Sequence, residues 1–484
     1  MKIAAVIAEY NPFHNGHAYQ LRLIKEQYGY DYIIVVMSGD FTQRGEPAII
    51  DKYARTQMAL SGGADLVLEL PAYYACASAE YFATGAVSLL DGLSCVDALF
   101  FGSESEDTDT SCPNPPALLS HAASVLLKEP PEYRSVLSDS LRQGHNYAAA
   151  RMEALTATLN DHTLQTALAG SYAEQNTLPA SDNAKCCSHN LSTILSLPNN
   201  TLGIEYCKSI LRLNSTIKPY AIKRVGSSYH DTDINGSYAG AEAVRTLLLR
   251  QPCPDAPAQD PSVFSSKSTV FNTSSVSSTA VFYNTDDILS RLYALVPTDA
   301  AQTLSGQYQA HALIHPDDFS SLMHYRLLLE SSRLEQYADC PQELANRIRT
   351  LTPSLLDLPV TGMIGALKTK AYTHTRISRA LTHLLLNMTG ENLSLFTNQH
   401  THAYLTHARI LGFRKDSCGT LLSAVKENTR IPLITKPSDY HPAGAAAAIY
   451  EADLFASHIY QNIAAKKSCS TFRHELTRTP LILS

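Results

Sequence analysis

Along the first hundred positions, apolar residues come in short unbroken runs, each followed by a stretch of helical periodicity. Residues 3–8 (IAAVIA), 31–37 (DYIIVVM), 65–70 (DLVLEL) and 97–101 (DALFF) are such runs. Runs of this length rich in Val, Ile and Leu, without polar alternation, predict strands of a parallel sheet covered on both faces. The intervening segments 18–27, 51–61 and 77–90 predict helices, the second with Asp51 as N-cap. This β-α-β-α-β-α-β order predicts an α/β fold, a Rossmann-like doubly wound parallel sheet. Segment 217–225 (IKPYAIKRV) predicts a late strand of the same sheet, after a helix over 202–212.

The pattern then changes. Residues 252–278 are rich in Pro, Ser and Thr and have no periodicity, so they predict a disordered insertion. From about residue 286 to 392 the periodicity is helical, and the tail from 403 mixes short helices and strands. The resulting division is an α/β domain over 1–250, an insertion over 251–282 and a mainly helical region over 283–484.

Composition narrows the class. The chain has 484 residues, 45% of them hydrophobic, enough for two or three cored domains. No apolar run reaches the roughly 18–20 residues that span a bilayer. The apolar start is too short for a signal peptide, because Glu9 and Tyr10 follow it at once. The ten cysteines contain no CxxC, which predicts reduced thiols in a cytoplasmic protein and no structural zinc. The net charge is -7, but residues 366–484 hold 14 Lys and Arg against 7 Asp and Glu. That +7 leaves -14 for the remainder, so the C-terminal part can meet a polyanion locally.

The sharpest chemical signal is Glu9-Tyr10-Asn11-Pro12-Phe13-His14-Asn15-Gly16-His17, where the first strand gives way to the first helix. Ligands of doubly wound sheets bind beyond the carboxyl ends of strands. Gly16 admits a phosphate close to the backbone, and the helix N-terminus favours anions. His14 and His17, three apart, can meet the same phosphates and stabilise charge on the α-phosphate and leaving pyrophosphate. A metal pair or two surface histidines would give the same bare spacing, but HxGH at this junction points to nucleotidyl transfer. After the second strand, Asp40, Gln43 and Arg44 are candidates for holding the acyl or phosphate partner, with a salt-bridged surface loop as the plain alternative. Gly102 closes the fourth strand, and Lys223 and Arg224 the late one.

These segments together resemble the tRNA(Met) cytidine acetate ligase family of HxGH nucleotidyltransferase relatives. The resemblance is carried by AEYNPFHNGH, MSGDFTQRGEPAIIDKYARTQMAL, GADLVLELP, FFGSE, PNNTLGIEYCKSI, IKRVGSSYHD, LKTKAYTHTRISRALTHLLL and ARILGFRKDSCGTLL. It implies activation of acetate by ATP, with Mg2+, and transfer of the acetyl group to N4 of the wobble cytidine of elongator tRNA(Met). It implies His14, His17 and Asp40 as catalytic residues. It further implies ATP contacts from Ile7, Ala8, Glu9, Tyr10, Asn11, Pro12, Phe13, His14, Asn15, Gly16, His17, Gln20 and Gly102. Asn199 or Asn200, Arg224 and Val225 complete that set. Lys368, Lys370, Tyr372, Arg376 and Arg379 are the expected tRNA contacts, with basic side chains beside an aromatic. Two departures stand out. The stretch Gly240–Arg245 keeps Arg245 but has Glu242 where a phosphate-binding hydroxyl is expected, and Ala371 replaces an expected basic residue. A small-molecule adenylyltransferase and a non-catalytic RNA- or nucleotide-binding protein are the alternative readings.

Overall fold

The computed structural model describes residues 1–103, 115–145, 147–159, 195, 197–223, 240–249, 285–396 and 406–484. The expected insertion at 251–282, and Arg224 and Val225, lie outside the described residues.

One eight-stranded sheet organises the chain. Its strands are β1 (Ile3–Ala8), β2 (Tyr32–Ser38), β3 (Leu66–Leu70), β4 (Ala98–Ser103), β5 (Lys218–Lys223), β6 (Ala408–Arg414), β7 (Leu433–Ile434) and β8 (Leu481–Leu483). The order is β5-β4-β1-β2-β3-β6-β7, with β8 beside β6. The first five strands are parallel, and β6 runs antiparallel to β3. The helices that matter below are α1 (Asn15–Glu26), α2 (Lys52–Ser61), α3 (Ala79–Leu93), α4 (Pro198–Arg212), α5 (Ala241–Leu248), α6 (Val360–Leu367), α7 (His374–Leu385) and α8 (Ala445–Lys467).

The apolar runs form strands because both faces of the sheet are covered. Ile34 and Val36 of β2 enter one core with α3, α4 and α7, while Ile33, Val35 and Met37 enter a second core with α1 and α2. Three aspartates just before strands clamp the register. Asp97 Oδ2 accepts from the Ile3 amide at 2.7 Å, Asp65 Oδ2 from Ile33 at 2.8 Å and Asp31 Oδ2 from Lys2 at 2.7 Å. The expected doubly wound sheet and mainly helical C-terminal region are both present.

The C-terminal region does not stand apart from the sheet. It covers both faces and supplies β6, β7 and β8 to one edge. Its closest tie is a buried charge cluster around Lys52 of α2. Lys52 Nζ lies 2.7 Å from Glu69 Oε1, 2.6 Å from Glu475 Oε1 and 2.7 Å from Ser457 Oγ. Arg409 Nη1 lies 3.2 Å from Glu69 Oε2 and 2.8 Å from Glu475 Oε1. Two cations meet these two carboxylates away from water, with Asp40 Oδ2 a further 4.0 Å from Lys52 Nζ. The chain winds β1-β2-β3 to one side and β4-β5 to the other, so β1 and β4 flank the switch point where such sheets bind ligands.

Candidate active site

A cleft of about 230 Å³ opens at that switch point. After Ala8 the backbone turns through Tyr10 at φ 48° and a cis Asn11–Pro12 bond, then enters α1 at His14. His14 is the N-cap, and its Nδ1 accepts from the Gly16 amide at 3.1 Å. His17, at N3, accepts the His14 amide on its own Nδ1 at 3.2 Å. This is a capping box made of two histidines. A ring whose Nδ1 accepts a backbone amide leaves Nε2 as the position for its proton, so each imidazole can donate through Nε2. They stack with centroids 3.7 Å apart at 26°, a spacing two imidazolium cations would resist. Tyr10 braces His17 edge-on at 4.7 Å. A Cβ on Gly16 would approach His14 Cε1 to 2.9 Å, so only glycine leaves this cap undisturbed.

The expected ATP residues separate into two groups. Ile7, Ala8, Glu9, Tyr10, Asn11, His14, Gly16, His17, Gln20, Gly102 and Asn199 line the cleft. Pro12, Phe13, Asn15 and Asn200 do not. Phe13 is core, and Asn15 Nδ2 turns away to the Ala294 carbonyl at 2.9 Å. The adjacent asparagines face different ways. Asn200 is fully buried and accepts from Ser103 Oγ at 2.8 Å, while Asn199 faces the cleft.

The loop after β2 divides in the same way. Gln43 and Arg44 line the cleft, and Glu9 Oε1 fixes the Gln43 amide at 2.7 Å. Asp40 sits behind the wall at 3% exposure, its Oδ1 accepting from the Lys52 amide at 2.9 Å. Burial pushes its carboxyl up to about 7, against the pull of Lys52. Asp40 is not among the residues that line the cleft, and its carboxylate holds the loop to the start of α2. Glu242 pairs with Arg44 at 3.4 Å across the cleft, and Arg245 Nη1 donates to the Asn11 carbonyl at 2.6 Å. The Glu242 departure thus has a cation to meet it.

Arg55 escaped sequence reasoning. It is fully buried on α2, and its guanidinium donates to the carbonyls of Ile50 at 3.2 Å, Glu9 at 2.6 Å, Ser38 at 3.1 Å and Gly39. It therefore sets the distance between the ends of β1 and β2, the two walls of the cleft. Nothing in an amphipathic helix pattern marks one arginine for this.

The basic segment differs from a single helical face. Lys368, Lys370 and Tyr372 lie between α6 and α7, because Thr373 caps α7 through its side chain. Lys368 and Lys370 are exposed. Arg376 still covers the Tyr372 ring, 5.3 Å from its centroid. Arg379 is committed elsewhere, its Nε 2.7 Å from Asp339 Oδ2.

Among the described residues, no group of three His, Cys, Asp or Glu is arranged to hold a metal ion, and no helix is long and apolar enough to cross a membrane.

A family profile described as HIGH Nucleotidyl Transferase matches residues 1–475. The tRNA(Met) cytidine acetate ligase of Thermoanaerobacter sp. (strain X514) is 34% identical over 461 residues, 95% of each chain. The chain belongs to this family. Another tRNA(Met) cytidine acetate ligase, from Clostridium kluyveri, is 35% identical over 90% of each chain. Crystal structures of Thermotoga maritima TmcAL match with full coverage of both chains. The form bound with alpha-thio ATP gives a TM-score of 0.76 at 25% identity, and the apo form 0.77 at 26%. The two-histidine cap and the cleft therefore belong to a tRNA(Met) cytidine acetate ligase family member with the fold of a HIGH nucleotidyl transferase.

Proposed function

We propose that this protein is an ATP-dependent ligase that acetylates N4 of the wobble cytidine of elongator tRNA(Met) through an acetyl-adenylate. In the first step a carboxylate oxygen of acetate attacks the α-phosphorus of ATP, the bond to the bridging oxygen breaks and pyrophosphate leaves. In the second, the cytidine amine attacks the acetyl carbonyl, the bond to AMP breaks and the amine loses a proton. The observation that carries the reading is the pair of Nε2–H donors at the head of α1. They are preorganised at the positive end of the helix dipole, where charge grows on the phosphoryl oxygens.

Lys223 and Arg245 supply cationic lining for the phosphates. Mg2+ would come with ATP, held by the phosphates and screening their charge. Gln43 and Arg44 are the proposed acetate wall. Lys368, Lys370, Tyr372 and Arg376 are the proposed RNA contacts. The test is acetate-dependent ATP–pyrophosphate exchange, followed by mass spectrometry of tRNA(Met) nucleosides after incubation with ATP, Mg2+ and acetate. Exchange that needs a different acid would point to a small-molecule adenylyltransferase. A folded protein without any exchange would overturn the reading.

A further inference from the structure

The loop that brings Gln43 and Arg44 into the cleft is anchored at successive residues. Its turn closes through Thr42 N–H to the Glu46 carbonyl and Gly45 N–H to the Thr42 carbonyl, both 2.9 Å. Gln43 is held by Glu9 through its amide and by the Ala77 carbonyl through its side chain at 3.2 Å. The remaining anchor comes from far along the chain. Ser378 Oγ and Thr382 Oγ1, one turn apart on α7, both donate to the Gly45 carbonyl, at 2.8 and 2.6 Å. Helical Ser and Thr hydroxyls ordinarily bond back to the carbonyl one turn earlier. Here both are buried and directed to a carbonyl 333 and 337 positions away. Gly45 has φ 74°, and a Cβ there would lie 2.5 Å from the backbone of Arg379, so the loop rests directly on the helix. One residue on, His383 Nε2 sits 2.9 Å from the Cys76 carbonyl, beside the Ala77 that receives Gln43.

From this arrangement we infer that Ser378 and Thr382 are positioning residues for the Gln43–Arg44 wall, and through it for the acetate half of the reaction. The inference rests on the acetate-activating reading above. The ATP half of the cleft is built by β1, α1, β4 and α4, none of which receives these hydroxyls. Displacing one wall by about 1 Å is enough to cost a reaction heavily. α7 therefore serves two sites: its N-terminal turn carries Arg376, and its inner face completes the cleft.

The test is the double variant Ser378→Ala, Thr382→Val, compared with Thr382→Ser. Acetate and ATP dependences of pyrophosphate exchange are measured together with hydrogen–deuterium exchange of the peptide spanning 39–48. The double variant is expected to raise the KM for acetate at least roughly tenfold, to leave that for ATP within about twofold and to deprotect the peptide. Thr382→Ser is expected to restore all three. A folded double variant with wild-type acetate KM and peptide protection overturns the inference, as does a parallel rise in both KM values. If the wild-type protein shows no acetate-dependent exchange, the functional reading fails, and peptide protection alone decides the positioning role. Should the double variant not fold, Ser378→Ala gives the same readouts.

Discussion

His14 and His17 each close the first turn of α1 with one nitrogen and offer a proton from the other. The two roles can be separated. Asn at the N-cap and Gln at N3 preserve the capping box. His14→Asn and His17→Gln are therefore expected to keep unfolding free energy within about 1 kcal/mol of wild type. Exchange should fall about 10²- to 10³-fold for each, the usual loss of one oxyanion donor. Wild-type exchange in either folded variant would remove that imidazole from the chemistry. Asp40 makes a pH prediction with the opposite sign from an ordinary paired carboxylate. Its folded value, about 7, lies above the ordinary carboxyl value of 3.8. The folded state thus binds more protons between those values, and Asp40 contributes stability that is lost as pH rises through about 7. Glu475 works the other way. Burial would raise it, but Lys52 and Arg409 hold it down to about 2, so its contribution is lost as pH falls toward that value. Asp40→Asn should therefore gain stability relative to wild type as pH rises from about 4 to 7, and no further above that, in urea titrations; parallel profiles would refute this.

At the scale of elements, β1 to β5 and the helices between them could be read from local pattern. Parallel strands buried on both faces announce themselves as unbroken apolar runs. The cap at Asp51, confirmed by a 2.8 Å bond from Ala54, is equally local. What escaped was decided by distant partners. Nothing in ARILGFR says that it will pair antiparallel with β3, more than three hundred residues earlier. Lys52 and Arg55 look like solvated charges on an amphipathic helix until carboxylates and carbonyls from elsewhere surround them. That Asp40 is buried behind the cleft lining was not legible, because a polar loop does not reveal which side chain turns inward. The HxGH pair could be read because its geometry is set within four residues. The same distant pairing gives an energetic prediction. Glu475→Ala would leave Lys52 and Arg409 short of one carboxylate in a buried site. It is expected to cost about 3–5 kcal/mol in denaturant unfolding, as removal of one buried ion-pair partner does. A loss comparable to that of a surface pair would show that water reaches the cluster.

At the scale of the molecule, an acidic body carries a basic C-terminal part. At physiological salt the Debye length is about 8 Å, so local contacts outweigh repulsion from distant faces. Lys368 and Lys370 are exposed, whereas Arg379 is paired with Asp339. Neutralising both lysines should weaken tRNA binding and lower the log–log salt slope by roughly one to two. Arg379→Gln should act on thermal stability and leave that slope near wild type. The reverse pattern in a filter-binding titration would exchange their roles. The late arrival of β6 and Glu475 also has a consequence for synthesis. The ribosome adds about 5–20 residues each second, so roughly 420 residues separate Lys52 from Glu475 by about 20–80 s. Until β6 emerges β3 is an open edge, and until Glu475 emerges Lys52 lacks one of its carboxylate partners. Ribosome-bound chains ending before β6 should therefore remain open to protease at α2, and the nascent N-terminal half becomes a natural client for chaperones.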